Sequence, residues 1–498
     1  MYSLIYEDTK KNKFLYCLTP LASLLLLLLL VLSGCEKKAP PTKDTEEKTK
    51  EAKPVAIKPE EIKPVEINLK ETKLAAIPED YQGVRDVVFS ADGKHVAYKA
   101  GKGGKEFAVI GNKTSKPYDA IMDSILLSYD GQRFAYHGRR EGKGYLVIDG
   151  KMERTYDDAG IDAKPRGISP DGRLLAAQIK EKGKWFIVLF DWQREIFRSS
   201  GYDRSYRSPF FSPDNRLLFY ELGDNGGGKN LFIADVNTGK IKKRRIHDSF
   251  TSDFVFTPDS SRLAYQMRKE VKHSLVLHEL ASNNEREVVL PYDKVESLTL
   301  NSTGQRIAYT AGKEGRVVMV VSDWDTPSRT KESKPYDGMT KPVFSPKGSA
   351  VAFSAVKEGK VIIVVDQKEG PGYERIIPSL VFSPDGLNVA YAAMKNGKWF
   401  MAVLQADNPA RVKEGAAYDM VITPVFSPDG SKLVYRARRG PQDKAERFIV
   451  IADKDGRVLK EGPICDEVWE PVISADGKAA AYGARLGREL WWKVQALP

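Results

Sequence analysis

Sulfur and imidazole are scarce in this chain. Of 498 residues only three are cysteine, Cys17, Cys35 and Cys465. Two of these belong to an apolar N-terminal stretch, so Cys465 stands alone in the body, which excludes an internal disulfide framework and a cysteine metal site. The histidines, His95, His137, His247, His273 and His278, are scattered, and only the last two are near neighbours. No metal centre and no cofactor is therefore expected. A Gly-x-Ser-x-Gly nucleophile elbow is missing as well, so no nucleophile-and-base signature points to an enzyme. The net charge of +11 comes from 78 basic and 67 acidic side chains, and along the body the two signs are mixed. Such mixing reads as a solvated surface that favours anionic envelope components, and no nucleic-acid partner is expected.

Long apolar runs are confined to the start of the chain. Basic Lys10 to Lys13 precede FLYCLTPLASLLLLLLLVLSGC. The uninterrupted part, Leu21 to Leu32, would rise about 18 Å as a helix, short of a bilayer core of about 30 Å. That favours a secretory signal peptide over residues 1–34. Counted from Phe14 the stretch is long enough to span, which leaves an uncleaved anchor as the alternative. Leu32-Ser33-Gly34-Cys35 resembles the lipobox of bacterial lipoproteins. The resemblance implies lipid attachment at Cys35, cleavage before it and, with Glu36 rather than Asp following, the periplasmic side of the outer membrane in preference to the inner membrane. Residues 35–79 are rich in Lys, Glu and Pro and lack aromatics, too poor in apolar surface to fold alone. They read as a lipidated tether.

Residues 80–498 repeat. Anchored on the first position of a Ser-Pro-Asp-Gly-like turn, the units fall at Ser90, Ser128, Ser169, Ser212, Thr257, Asn301, Ser345, Ser383, Ser427 and Ser474, with spacings of 38 to 47 residues. The residue before each anchor is apolar, as is the sixth after it, and the eighth after it is Tyr or Phe in all units but one, which has Ala177. Offsets of six and eight share one face of a strand, so that face is core. Within the turn, Pro presets φ, Asp suits the next position and Gly supplies a left-handed residue. Asn215 tolerates that conformation, Ser260 should cost about 1 kcal/mol there, and Lys347 in place of the Asp leaves the backbone unharmed. A further strand follows each turn pair, as in KEFAVIG and KWFIVLFD; its Trp185 and Trp399 are expected to fill space between repeats.

These repeats resemble the WD-like, SPDG-type β-propeller repeats of the TolB family. The resemblance implies an all-β fold of about ten four-stranded blades. Ten exceed the usual four to eight, so two smaller stacked propellers are the alternative to one ring, although no linker separates the units. The last unit holds three strands, and VEINLKETKL, residues 65–74, could supply the fourth and close the circle. Propellers of this type host many activities. TolB carries a further α/β domain where this chain has only the tether, so its role does not transfer whole. The expectation is a non-catalytic interaction platform anchored in the membrane and docking envelope proteins, with a small-ligand or cation sensor as the second reading.

One column carries candidate chemistry. Upstream of most anchors stands Tyr-Asp or a variant that keeps the acid, giving Asp119, Asp157, Asp203, Asp248, Asp293, Asp337, Glu374, Asp419 and Asp466. If the blades close, these carboxylates ring one mouth of the channel. They either cap the turn into each strand while the Tyr packs between blades, or collect a cation such as a metal, a polyamine or a basic peptide.

Overall fold

The structure, a computed structural model, describes residues 66–160, 167–226, 229–246, 249–250, 254–269, 271–282, 284–348 and 350–498. Cys35, the signal segment, the first part of the tether and Asp248 lie outside the described residues. The described chain is all-β, and its one helical element is a 3-10 turn at Gln442–Lys444. Ten antiparallel sheets form a single ten-bladed propeller. Blade 1 runs from Gln82 to Thr114, blade 2 from Ala120 to Tyr156, blade 3 from Asp158 to Arg198, blade 4 from Arg204 to Ile246 and blade 5 from Ser249 to Leu290. Blade 6 spans Lys294 to Glu332, blade 7 Gly338 to Glu369, blade 8 Arg375 to Tyr418, blade 9 Met420 to Glu461 and blade 10 Glu467 to Ala496.

Each blade is a meander whose four strands pair one after another from the channel outward, in sequence order in every blade but blade 10. A meander puts first-to-second and third-to-fourth turns at one end of the sheet, and second-to-third hairpins with the linkers between blades at the other. The ring therefore has a turn face and a hairpin face. The core lies between blades. Leu126, Leu146 and Ile148 of blade 2 pack with Leu175, Ile179 and Phe190 of blade 3, and the same interleaving recurs around the ring. The aromatic column eight residues past each anchor is wholly buried, from Tyr98 to Tyr482. Trp185 and Trp399 are half-buried against such inter-blade clusters.

The ten first-to-second turns share one wiring. The anchor side chain accepts the amide five residues on, from His95 N–H on Ser90 Oγ at 3.0 Å to Ala479 N–H on Ser474 Oγ at 3.0 Å, with Asn301 Oδ1 serving in blade 6. In seven turns the Ser hydroxyl donates to the Asp two residues later. The fourth turn residue is left-handed in every unit, at φ 64° for Asn215 and 54° for Ser260. Both non-glycines reach back to the preceding blade: Asn215 Oδ1 accepts Asp171 N–H at 2.9 Å, and Ser260 Oγ accepts Asp214 N–H at 3.0 Å. The turn bearing Lys347 keeps its amide bond to Ser345 Oγ at 3.0 Å, so the backbone does not need the carboxylate.

Closure comes from the N-terminal side. Thr72–Ala76 pairs antiparallel with the third strand of blade 10, Glu489–Ala496, and becomes that blade's fourth strand. It begins later than the 65–74 stretch because Asn68 to Thr72 form a side-chain-capped turn, with Lys70 N–H on Asn68 Oδ1 at 3.0 Å. Lys73 pairs with Glu489 at 2.6 Å and Lys493 with Glu71. At the seam, Phe89 of blade 1 meets Trp469 and Trp492 of blade 10 at 5.2 and 6.0 Å between ring centres. Gly93, at φ 71°, is the turn residue over which Trp492 lies; a Cβ there would come within 2.1 Å of the indole.

Candidate functional site

The Tyr-Asp pair marks the point at which the chain changes sheet. The Tyr backbone still pairs with the third strand of the blade being left, as in Tyr118 with Glu106, Tyr336 with Val317 and Tyr373 with Val361. The next residue already belongs to the new blade: Asp119 N–H bonds Arg139 O, Asp337 N–H bonds Val356 O and Asp419 N–H bonds Arg438 O. A dipeptide with this double duty must recur in every unit, which accounts for its regularity before any chemistry is invoked.

The acids stand at the start of the innermost strands on the hairpin face, and most are engaged. Six accept an amide from the second-to-third hairpin of their own blade: Asp119 from Glu141, Asp157 from Gly183, Asp203 from Asn225, Glu374 from Asn396, Asp419 from Gly440 and Asp466 from Gly487. Three of these six, and Asp337 besides, meet a cation that opens the third strand of the preceding blade. These pairs are Lys105 with Asp119 at 2.5 Å, Lys184 with Asp203 at 2.6 Å, Arg316 with Asp337 at 3.0 Å and Lys398 with Asp419 at 2.5 Å. Asp293 is held through its main chain, Asp293 N–H on Gly312 O. Hydrogen bonds from Lys105, Lys184 and Lys398, seconded by the hairpin amides, hold Asp119, Asp203 and Asp419 below the usual carboxylate range. Each such acid fastens its own hairpin and ties two blades together.

The tyrosines point inward between blades. Tyr118, Tyr292, Tyr336, Tyr373 and Tyr418 are buried, and each donates its hydroxyl to a glutamate on the outermost strand of the blade it leads into: Glu153, Glu332, Glu369, Glu414 and Glu461, at 2.8 to 3.2 Å. Every one of these glutamates is paired in turn with the cation that ends the second strand: Arg140, Lys313, Lys357, Lys395 and Arg439. Burial, ahead of the glutamate, pushes Tyr292 and Tyr373 up to about 12. The glutamates of this clamp escape sequence reading, since they lie 33 to 43 residues from their tyrosines. Their only signal is a Glu somewhere on the outer strand of these five blades.

Where Cys465 takes the Tyr position its thiol is buried, and burial raises it to about 11. That environment suits packing and disfavours the thiolate. His137 is buried too, and desolvation, only partly offset by Asp158 at 3.9 Å, lowers it to about 4. Among the described residues no three His, Cys, Asp or Glu side chains are placed to hold a metal ion.

No family model and no curated protein matches the sequence. Solved structures do share the fold. A eukaryotic initiation factor is 14% identical, with 80% of this chain and 92% of that one covered and a TM-score of 0.48. TolB from Acinetobacter baumannii is 16% identical over 57% of this chain and 78% of its own, with a TM-score of 0.28. An oligogalacturonate lyase in complex with manganese is 14% identical over 67% and 88%, with a TM-score of 0.35. At such identities and TM-scores these likenesses assign no role; by its own ten sheets this chain is a β-propeller.

Proposed function

We propose that the chain is a non-catalytic docking platform of a bacterial cell envelope, held through lipid on Cys35 at the periplasmic side of the outer membrane and binding envelope proteins. One observation carries this reading: a rigid ring presents loops that break an otherwise strict repeat. The first-to-second turns repeat one self-satisfied hydrogen-bond circuit ten times. Against that regularity, the hairpin between Arg439 and Glu446 replaces the usual two-residue tip, such as Gly103-Gly104, by a segment with its own 3-10 turn, and the third-to-fourth turns lengthen from residues 111–112 in blade 1 to 324–329 in blade 6. A rigid ring with variable loops is built for recognition.

Capture of a cation by the rim acids would have to displace hairpin amides and lysines that already fill their lone pairs; heat released on titrating calcium into the protein would restore that reading. The platform reading is tested by crosslinking with mass spectrometry in the native cell. Crosslinks should concentrate on loop residues and recur between preparations. Recovery of no reproducible envelope protein, or turnover of peptide, ester or glycan substrates by the purified chain, would sink it.

A further inference from the structure

Six of the ten hairpins close on a pair of like charges. Directly opposite each other across the last rung stand Lys102 and Lys105, Arg140 and Lys143, Lys269 and Lys272, Lys313 and Arg316, Lys357 and Lys360, and Lys395 and Lys398. Like charges facing each other across strands are destabilising. The ring nevertheless repeats the arrangement, always on the hairpin face. Part of the repulsion is met inside the molecule, because first members such as Arg140 and Lys313 pair with the clamp glutamates, and Lys105, Arg316 and Lys398 pair with rim acids.

Among the described residues, four members have no acid within pairing distance, and they are exposed: Lys143 in blade 2, Lys269 and Lys272 in blade 5, and Lys360 in blade 7. In blade 5 both members of the rung are left over. No ion pair offsets the repulsion that these four feel from the cation across their rungs.

A second observation gives the direction. Asn68 N–H donates to Asp92 O at 2.8 Å, and Asn68 O accepts from Trp492 Nε1 at 2.9 Å. Asp92 belongs to the first turn of blade 1. The chain therefore leaves the ring toward its N-terminus on the turn face, and the hairpin face is the side turned away from that exit.

We infer that the hairpin face, through the unpaired rung cations Lys143, Lys269, Lys272 and Lys360, docks an acidic protein segment. The inference rests on the platform reading and names its face and its charge. Rim acids such as Asp119, Asp337 and Asp419 stand among the cations, so a densely charged polyanion would meet repulsion at those points. Carboxylates spaced by neutral residues would not.

The test uses the full chain and a Glu-Ser repeat peptide as probe, with heparin in a parallel arm. The peptide should bind, and its affinity should fall as salt rises. Replacing Lys143, Lys269, Lys272 and Lys360 together by Glu should weaken binding about tenfold or more. A turn-face control, with Lys94, Lys347 and Lys478 replaced by Glu, should stay within about twofold. Lys272→Glu alone separates binding from folding: it turns a repulsive rung attractive, so the melting temperature should hold or rise while affinity drops. Unchanged affinity in the fourfold variant, an equal loss in the control, or binding of heparin without the peptide would overturn the inference. If native crosslinks survive in the fourfold variant, the platform stands and the assignment of this face falls.

Discussion

Ser260 shows how a residue that breaks the repeat is accommodated. At φ 54° a side chain is strained by about 1 kcal/mol relative to glycine, yet its hydroxyl accepts the Asp214 amide of the neighbouring blade, a bond worth about 1 kcal/mol. The two terms nearly cancel, which predicts an order among variants. Ser260→Gly gives up the bond and the strain together and should stay within about 1 kcal/mol of the parent. Ser260→Ala keeps the strain and loses the bond, and should fall about 1 to 2 kcal/mol below it. Urea denaturation midpoints measure this, and an Ala variant as stable as the Gly variant would refute the compensation. Asn215 stands in the same relation to Asp171. A departure from glycine that looks like a flaw when the turn is read alone proves to be a contact between blades.

The turn as an element has a pH signature. Asp429 accepts from the Ser427 hydroxyl and from both the hydroxyl and the amide of Ser431, and these bonds, that of Ser427 first, lower its carboxyl to about 2. Asp259, Asp385 and Asp476 are lowered by the same kind of bonding. A carboxyl held lower in the folded state than in the unfolded chain stabilises the fold above pH about 4, its unfolded value, and that contribution fades as pH falls toward 2. Stability should decline through this window, and Asp429→Asn should make the decline shallower; an identical slope in parent and variant would break the linkage. These turns were legible in the sequence because their bonds join residues two to five apart. The tyrosine clamps were not, because the outer strands that carry the glutamates vary from two residues at Lys368–Glu369 to seven at Val412–Tyr418, which destroys any fixed offset. The rim acids fall between these cases. Their column is plain, but the amide that six of them hold lies 21 to 26 residues farther along, in a hairpin. The like-charged rungs left a trace as well, in strings such as KGGK, KEVK and KNGK, where cations flank a two-residue turn; a repeat reading built on apolar columns passes over them.

For the whole molecule, the decisive contact is the one that makes the ends of the chain meet. Nine seams are crossed by continuous chain, whereas the tenth depends on the five residues Thr72–Ala76. Those residues cover Leu490 and Trp492, both buried, and occupy the hydrogen-bonding edge of Glu489–Ala496. Arg488 adds a hydrogen bond to Ile77 O at 3.0 Å. A chain begun at Tyr81 would keep every blade but leave blade 10 with three strands and an open edge. Repeat arrays are stabilised through nearest-neighbour interfaces, so the loss should be felt first at the ends it uncouples. Hydrogen exchange should therefore accelerate in blades 10 and 1 before it does in blades 5 and 6, and the melting temperature should fall by several degrees. The bare edge is also a template for pairing with another copy, so light scattering should show association that grows with concentration. A truncated chain with the parent's melting temperature and even protection around the ring would mean that the inter-blade cores alone hold the circle shut, and that the strand merely decorates it.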